Sequence, residues 1–308
     1  MRNTVLIHPD ELSERWIARA CKHGYTGIAL HPVGGNDAPN TLADLLERLQ
    51  SPAYRKLIDR VADAGLTVEY ELHAAGYLFP RCGFETHPER FRKNQDGVRS
   101  ADYNLCFSNE DALEEAAENA RILAGKLYRT EPNLYFWADD ARNSFCFCED
   151  CARMTPSDQN LFFMNRLLAA IRKDHPQMRM ACLAYADTMA LPVSVRPSEG
   201  IFLEYAPFDR DMHAPISGQE SAKAGNVKEL LAFFGRRNAK VLDYWMDNSY
   251  YSKWTKPPKK YVPDTDVVRA DLAYYRSLGF ETVSSFACYL GDDYVSLYGE
   301  PELPRLDG

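Results

Sequence analysis

The stretch Leu66-Thr67-Val68-Glu69-Tyr70-Glu71-Leu72-His73 decides the fold. Side chains alternate across a strand, so Val68, Tyr70 and Leu72 share one face while Glu69, Glu71 and His73 share the other. The apolar face suits packing against helices. The acidic face suits a polar interior, with His73 nearest the C-terminal end of the strand. A glutamate in that place is costly unless it is paired or put to use, and Glu69 is expected to be a buried structural partner. Three later segments end in the same way: Trp137-Ala138-Asp139-Asp140, Leu203-Glu204-Tyr205 and Asp243-Tyr244-Trp245-Met246-Asp247.

Around this stretch, strand signals alternate with helical ones. Strands are expected over 4–8, 26–31, 66–73, 133–140, 178–185, 201–205, 240–245 and 281–288. Asp10 is the expected cap of a helix carrying Leu12, Trp16, Ile17 and Ala20, and Gly24 ends it. A helical region over 41–64 breaks near Ser51-Pro52. Further helices are expected over 110–127, 226–237 and 266–278, and one capped by Ser157-Asp158-Gln159 runs to about His175. The segment 189–200 holds two prolines and is too short for a normal helix. The loop over 74–109 has the length of a functional loop. Strands alternating with helices predict a parallel sheet, and eight strands close a (β/α)8 TIM barrel. No linker, repeat or low-complexity tract interrupts the pattern, so residues 1–308 are expected to form a single α/β domain.

The bulk properties agree. A chain of 308 residues with 45% hydrophobic and 26% charged side chains fits one globular barrel. The net charge of −8 argues against nucleic acid or an anionic membrane as partner. The basic run 253–260 is interrupted by Trp254, Pro257 and Pro258 and is expected to be a solvated loop. No apolar stretch approaches the roughly 18 residues of a membrane span. The first residues lack the long apolar core of a secretory signal, so a cytoplasmic location is expected. The oligomeric state is left open.

In a barrel of this kind the active site is built from strand C-termini and the loops that follow. Acids and aromatics gathered there point to a carbohydrate substrate. Glycoside hydrolysis uses two carboxylates, one protonating the leaving oxygen and the other acting as nucleophile or base. In some enzymes the substrate's own N-acetyl group attacks and an acid orients it. The adjacent pair suits that scheme, with Asp140 as general acid and Asp139 orienting. Glu204 or Asp243 would serve a direct two-carboxylate scheme. Glu71 and His73 are candidate substrate contacts. Trp137, Tyr185, Tyr205, Tyr244 and Trp245 offer stacking faces, and Arg81 and Arg210 could meet an anionic group. Two alternatives stand beside this reading. One is a metal-dependent sugar isomerase or epimerase with Glu71, His73, Glu204 and Asp243 around a divalent ion. The other is a glycan-binding barrel without catalysis.

Among eight cysteines, three form Cys146-x-Cys148-x-x-Cys151. In a reducing compartment this spacing reads as metal binding rather than disulfides. Cys106 lies in the preceding strand-to-helix loop and is the expected fourth ligand of a structural zinc site.

Several motifs occur in a telling order: Tyr70-Glu71-Leu72-His73 with Pro80-Arg81, His87-Pro88-Glu89-Arg90-Phe91, Asn104-Leu105-Cys106-Phe107-Ser108-Asn109, Trp137-Ala138-Asp139-Asp140, the cysteine cluster, Leu183-Ala184-Tyr185 and Phe202-Leu203-Glu204-Tyr205-Ala206-Pro207. Together they resemble the bacterial proteins grouped as domain of unknown function 4838. The resemblance implies a glycoside-hydrolase-like barrel, distantly similar to β-N-acetylhexosaminidases and α-glucuronidases, acting on an amino-sugar or uronic-acid glycan. Hexosaminidases end the fourth strand in an Asp-Glu pair, which Asp139-Asp140 matches with one methylene fewer. Glu71 and His73 look like the acid and histidine that those enzymes place behind the pair.

Overall fold

Five consecutive register pairs, from Arg2↔Thr282 to Leu6↔Phe286, join the first strand to the last. They close a parallel barrel whose strands follow one another in sequence order, β1 (Arg2–Ile7), β2 (Gly27–Leu30), β3 (Thr67–His73), β4 (Asn133–Trp137), β5 (Arg179–Ala184), β6 (Ile201–Tyr205), β7 (Lys240–Asp243) and β8 (Thr282–Phe286). The computed structural model describes residues 1–219 and 225–306. Ten helices among the described residues accompany the strands: α1 (Glu14–His23), α2 (Ala38–Arg48), α3 (Pro52–Asp63), α4 (Ala75–Leu78), α5 (Glu110–Ala124), α6 (Pro156–Ile171), α7 (Val227–Phe234), α8 (Asn248–Tyr251), α9 (Thr265–Leu278) and α10 (Asp292–Tyr298). No helix of the described residues is long and apolar enough to cross a membrane.

Local chemistry sets the helix ends. The cap of α1 is Ser13, whose side chain accepts from the Trp16 amide, and not Asp10, because residues Pro9–Glu11 form a separate 3-10 turn. Trp16, Ile17 and Ala20 are the buried stripe, and Gly24 ends the helix at φ 72°, where a side chain would be strained. Helix α6 is capped by Thr155 rather than Ser157. Pro156 takes the first helical position, and Asp158 completes a capping box with Thr155. The other oxygen of Asp158 accepts from the amides of Val193, Ser194 and Val195. Burial acts against its charge, but these amides and Thr155 hold its pKa below the usual carboxylate range. That clamp takes the place of a helix between β5 and β6.

The chain divides into two compact units. One comprises Met1–His31, Ser51–Tyr70 and Leu203–Gly308, and the other comprises Pro32–Gln50 and Glu71–Phe202. In the first unit, Lys240 on β7 donates to Glu69 on β3 at 2.8 Å and lies 3.8 Å from Glu204 on β6. Strands β3 and β7 are not neighbours in the sheet, so this contact crosses the barrel interior. Glu69 is therefore the buried partner the alternation implied. A second buried set follows β6. The Arg210 guanidinium meets Asp243 at 3.1 Å and Asp271 at 2.7 Å. Tyr275 donates to Asp243, and Trp245 and the Ile216 amide donate to Asp271. Burial and the neighbouring Asp243 charge push the pKa of Asp271 up. Arg210 is the cation that makes two buried acids tolerable.

Removing that cation leaves uncompensated buried charge. Arg210→Ala should cost about 3–5 kcal/mol in urea unfolding. Arg210→Lys should recover part of this, because a single ammonium lacks the planar fork that serves two carboxylates at once. A loss under about 1 kcal/mol for the alanine variant would show that the set contributes little.

Candidate active site

In the second unit, β4 ends at Trp137, so Asp139 and Asp140 sit beyond the strand and need not alternate. The two acids have separate surroundings. Asp139 accepts from the Gly76 amide at 2.9 Å, from the Asn104 amide at 2.5 Å and from the Arg81 guanidinium. Asn104 returns the contact, taking the Asp139 amide on its side-chain oxygen at 3.0 Å. Its own side-chain nitrogen donates to Ser144. Asn104 holds this position at φ 35°, a left-handed backbone that asparagine tolerates better than most residues. Asp139 thus ties the long 74–109 loop to the end of β4.

Asp140 is half-buried and differently placed. Tyr185, just past β5, donates to its Oδ1 at 3.1 Å. Its Oδ2 lies against Gly34 in the loop after β2. A Cβ on Gly34 would stand 2.9 Å from that oxygen, 3.0 Å from Cδ2 of His73 and 3.5 Å from Nε2 of His73. Only the missing side chain lets this loop close on the pair. His73 Nδ1 lies 2.8 Å from the Ala138 carbonyl, which can only accept, so Nδ1 carries a proton. In the neutral ring Nε2 is then an acceptor, and protonation makes it a second donor. The ring edge packs on Trp137 at 5.0 Å between centroids. A cavity of about 30 Å³ adjoins His73, Asp139, Asn160 and Tyr185, room for about one water and too small for a sugar ring.

The other candidates are placed as follows. Glu71 is fully buried, in register with Tyr135 on β4. Trp137 is 2% exposed, so its faces are covered by protein. In the first unit Glu204, Tyr205, Arg210, Asp243 and Trp245 are all enclosed, and Tyr244 is stacked on Phe286 at 5.2 Å. Burial first, and then the Asp243 charge, raise the pKa of Tyr205, which packs on Tyr275. The sequence reading missed Gly34, Asn104, Lys240 and Asp271. Gly34-Gly35 is a dipeptide that marks a loop, and Asn104 opens one of the motifs quoted above, but nothing local marks Lys240 or Asp271.

The four expected cysteines come together. Cys106, Cys146, Cys148 and Cys151 are buried, and their sulfurs lie within 4.8 Å of one another. Cys106 stands 3.6 Å from Cys148, 3.7 Å from Cys146 and 3.9 Å from Cys151. Four thiolates bound tetrahedrally at about 2.3 Å from one ion would be about 3.8 Å apart, so the donor set fits. Surrounding groups are arranged to match. The Lys93 amide points at Cys146, and Ser108 reaches Cys106 and Cys148. Gln159 accepts from the Cys146 amide and donates to the carbonyls of Cys146, Cys151 and Met154, fixing the backbone of the cluster.

The strands close a parallel (β/α)8 barrel, and an acid pair follows β4. The chain belongs to the family described as Domain of unknown function (DUF4838), which matches residues 47–292. No curated protein matches it. Among solved structures, a tri-modular GH5 (subfamily 4) endo-β-1,4-glucanase from Bacillus licheniformis superposes with TM-score 0.50 at 11% identity, over 93% of this chain and 54% of that one. A β-galactosidase from the psychrophilic Marinomonas ef1 gives 0.49 at 13% identity, over 92% and 54%. The GH20 catalytic modules of the pneumococcal exo-β-D-N-acetylglucosaminidase StrH give 0.48 at 14% identity, over 98% and 80%. The chain thus spans about half the length of the first two. Likeness at this identity establishes the fold alone.

The contact at Gly34 can be tested without a substrate. Gly34→Ala should cost about 1–3 kcal/mol, because Asp140 and His73 must both move. Gly218→Ala, where a Cβ meets nothing within 4 Å, is the control and should change stability by less than about 0.5 kcal/mol. Equal urea midpoints for the two variants would refute the close approach.

Proposed function

We propose that the chain is a glycoside hydrolase in which Asp140 is the general acid, acting on a glycan that contains an amino sugar or a uronic acid. The observation that carries this reading is the division of labour within the pair. Asp139 is committed to three protein donors. Asp140 is half-buried, accepts one tyrosine hydroxyl, and shares with His73 the close approach of Gly34. Asp139 then serves by positioning, holding the 74–109 loop and Arg81. Arg81 and His73 are the polar groups suited to meet the sugar. Glu204, Asp243, Arg210, Tyr205 and Trp245 are read as framework, given their burial. A metal-dependent isomerase is less well supported, since both oxygens of Asp243 are engaged by Arg210, Tyr275 and the Tyr244 amide.

The test uses chromogenic glycosides of N-acetylhexosamines and of glucuronic acid. Asp140→Asn should lower kcat/KM on the order of 100-fold or more with the melting temperature kept. Asp139→Asn should lower both, because it also loosens the loop. Full activity of Asp140→Asn on a substrate with a poor leaving group would remove the acid from Asp140.

We infer further that the four thiolates hold zinc. Bound there, the ion would supply a structural cross-link and no open position for chemistry, as all four ligands come from protein. Its role is to pin the loop after β4 to the loop carrying Cys106. Elemental analysis of untagged protein should give one zinc per chain, and Cys106→Ser should abolish it and lower the melting temperature. Metal-free protein with four freely titrating thiols would overturn this.

A further inference from the structure

We propose that Trp254 is the stacking platform of a carbohydrate-binding subsite, built by the loops that follow β7 and β8. The chain has four tryptophans. Trp16, Trp137 and Trp245 are 0%, 2% and 3% exposed, whereas Trp254 is 60% exposed. Trp254 is the exposed indole among the described residues, and an aromatic face in water is a surface that a flat apolar ligand face can cover. The backbone beneath it is unusual. Lys253 at φ 55°, Trp254 at φ 52° and Tyr289 at φ 63° all adopt the left-handed conformation, which is unfavourable for residues with side chains. Such outliers persist where surrounding contacts enforce them, and they gather at ligand sites.

Those contacts are present. The Trp254 amide donates to the Ser249 carbonyl at 2.7 Å, and the Lys253 amide donates to Tyr250 at 2.9 Å. The Tyr289 hydroxyl reaches the Trp254 carbonyl at 3.5 Å, joining the two loops. Tyr250 braces the indole edge-on at 5.7 Å, and Phe208 and Tyr244 continue the aromatic run inward at 5.6 and 5.0 Å. Lys256 lies over the Tyr289 ring at 5.1 Å and pairs with Asp293 at 2.8 Å. The indole is therefore held before any ligand arrives, which lowers the ordering cost of binding.

A pyranose ring matches this surface. It offers a flat C–H face to an aromatic ring and directs its hydroxyls sideways, and the exposed Lys253, Lys259 and Lys260 are donors carried by the same loop. The loops after β7 and β8 also lie at the strand ends where barrels of this class bind ligands.

The test is affinity electrophoresis in gels containing hydroxyethylcellulose, glycol chitin or polygalacturonate, paired with tryptophan fluorescence titration. These arms separate neutral, amino-sugar and uronate chains. Wild-type protein should be retarded by at least one polymer, and Trp254→Ala should lose at least tenfold in affinity with an unchanged far-ultraviolet spectrum. Trp254→Gly should melt above Trp254→Ala, since glycine is at ease at positive φ. Retardation by none of the three polymers, or equal retardation of wild type and Trp254→Ala, would overturn the proposal. So would self-association that Trp254→Ala abolishes, which would assign the ring to a contact between copies. Binding is read without turnover, so the result is independent of the role given to Asp140.

Discussion

The carboxylate of Asp139 is the constraint on which the second unit depends. Three donors from widely separated positions converge on it, and each belongs to the long loop between β3 and α5. A buried carboxylate that lost them would be left with a desolvated charge, so the loop is tied down where it begins and again near Asn104. Cys106 follows Asn104 by two residues. The same tie that fixes Asp139 therefore brings the fourth thiol toward the cysteines that follow β4. The acid pair and the cysteine cluster are consecutive consequences of one anchored loop.

The first unit solves a different problem with the same chemistry. Its interior carries Lys240 against Glu69 and Glu204, and Arg210 against Asp243 and Asp271. In both sets one cation faces two acids, so neither set is neutral when all its groups are charged. Hydrophobic replacements of similar volume are often as stable as such buried ion sets. Their place in the interior is explained by geometry. Each set fixes a segment that apolar packing would leave free to slide: strands on opposite sides of the interior in one case, the loop after β6 in the other.

The strands were legible because each carries its own two-residue alternation, and the eight segments were found with errors of a few residues at their ends. Those errors have local causes. β7 stops at Asp243 because that side chain turns into the Arg210 set, and β4 stops at Trp137 because the chain bends to deliver Asp139 to its donors. The misplaced caps arose where several polar residues compete, as at Asp10 and Ser13, although Pro156 could have pointed to Thr155. The cysteine cluster was legible because three of its members are close in sequence. The partners of Asp139 lie 35 to 63 residues away, and no periodicity encodes them. Lys240 looked like an ordinary strand start, and Trp254 like part of a solvated loop.

In the proposed role, an aspartate at position 140 sets a condition on everything opposite it. Its carboxyl stands one carbon–carbon bond, about 1.5 Å, nearer the backbone than that of a glutamate. It also has one torsion fewer, so a single tyrosine hydroxyl suffices to orient it. A short, fixed acid can meet a glycosidic oxygen only if the sugar comes close to the end of β4. The wall on that side must then be thin, and Gly34 makes it so, for any Cβ there would press on both Asp140 and His73. The glycine, the shortened acid and the histidine whose tautomer is fixed by the Ala138 carbonyl are thus one arrangement. Lengthening the acid without changing the glycine would drive the carboxylate into the loop rather than toward a substrate.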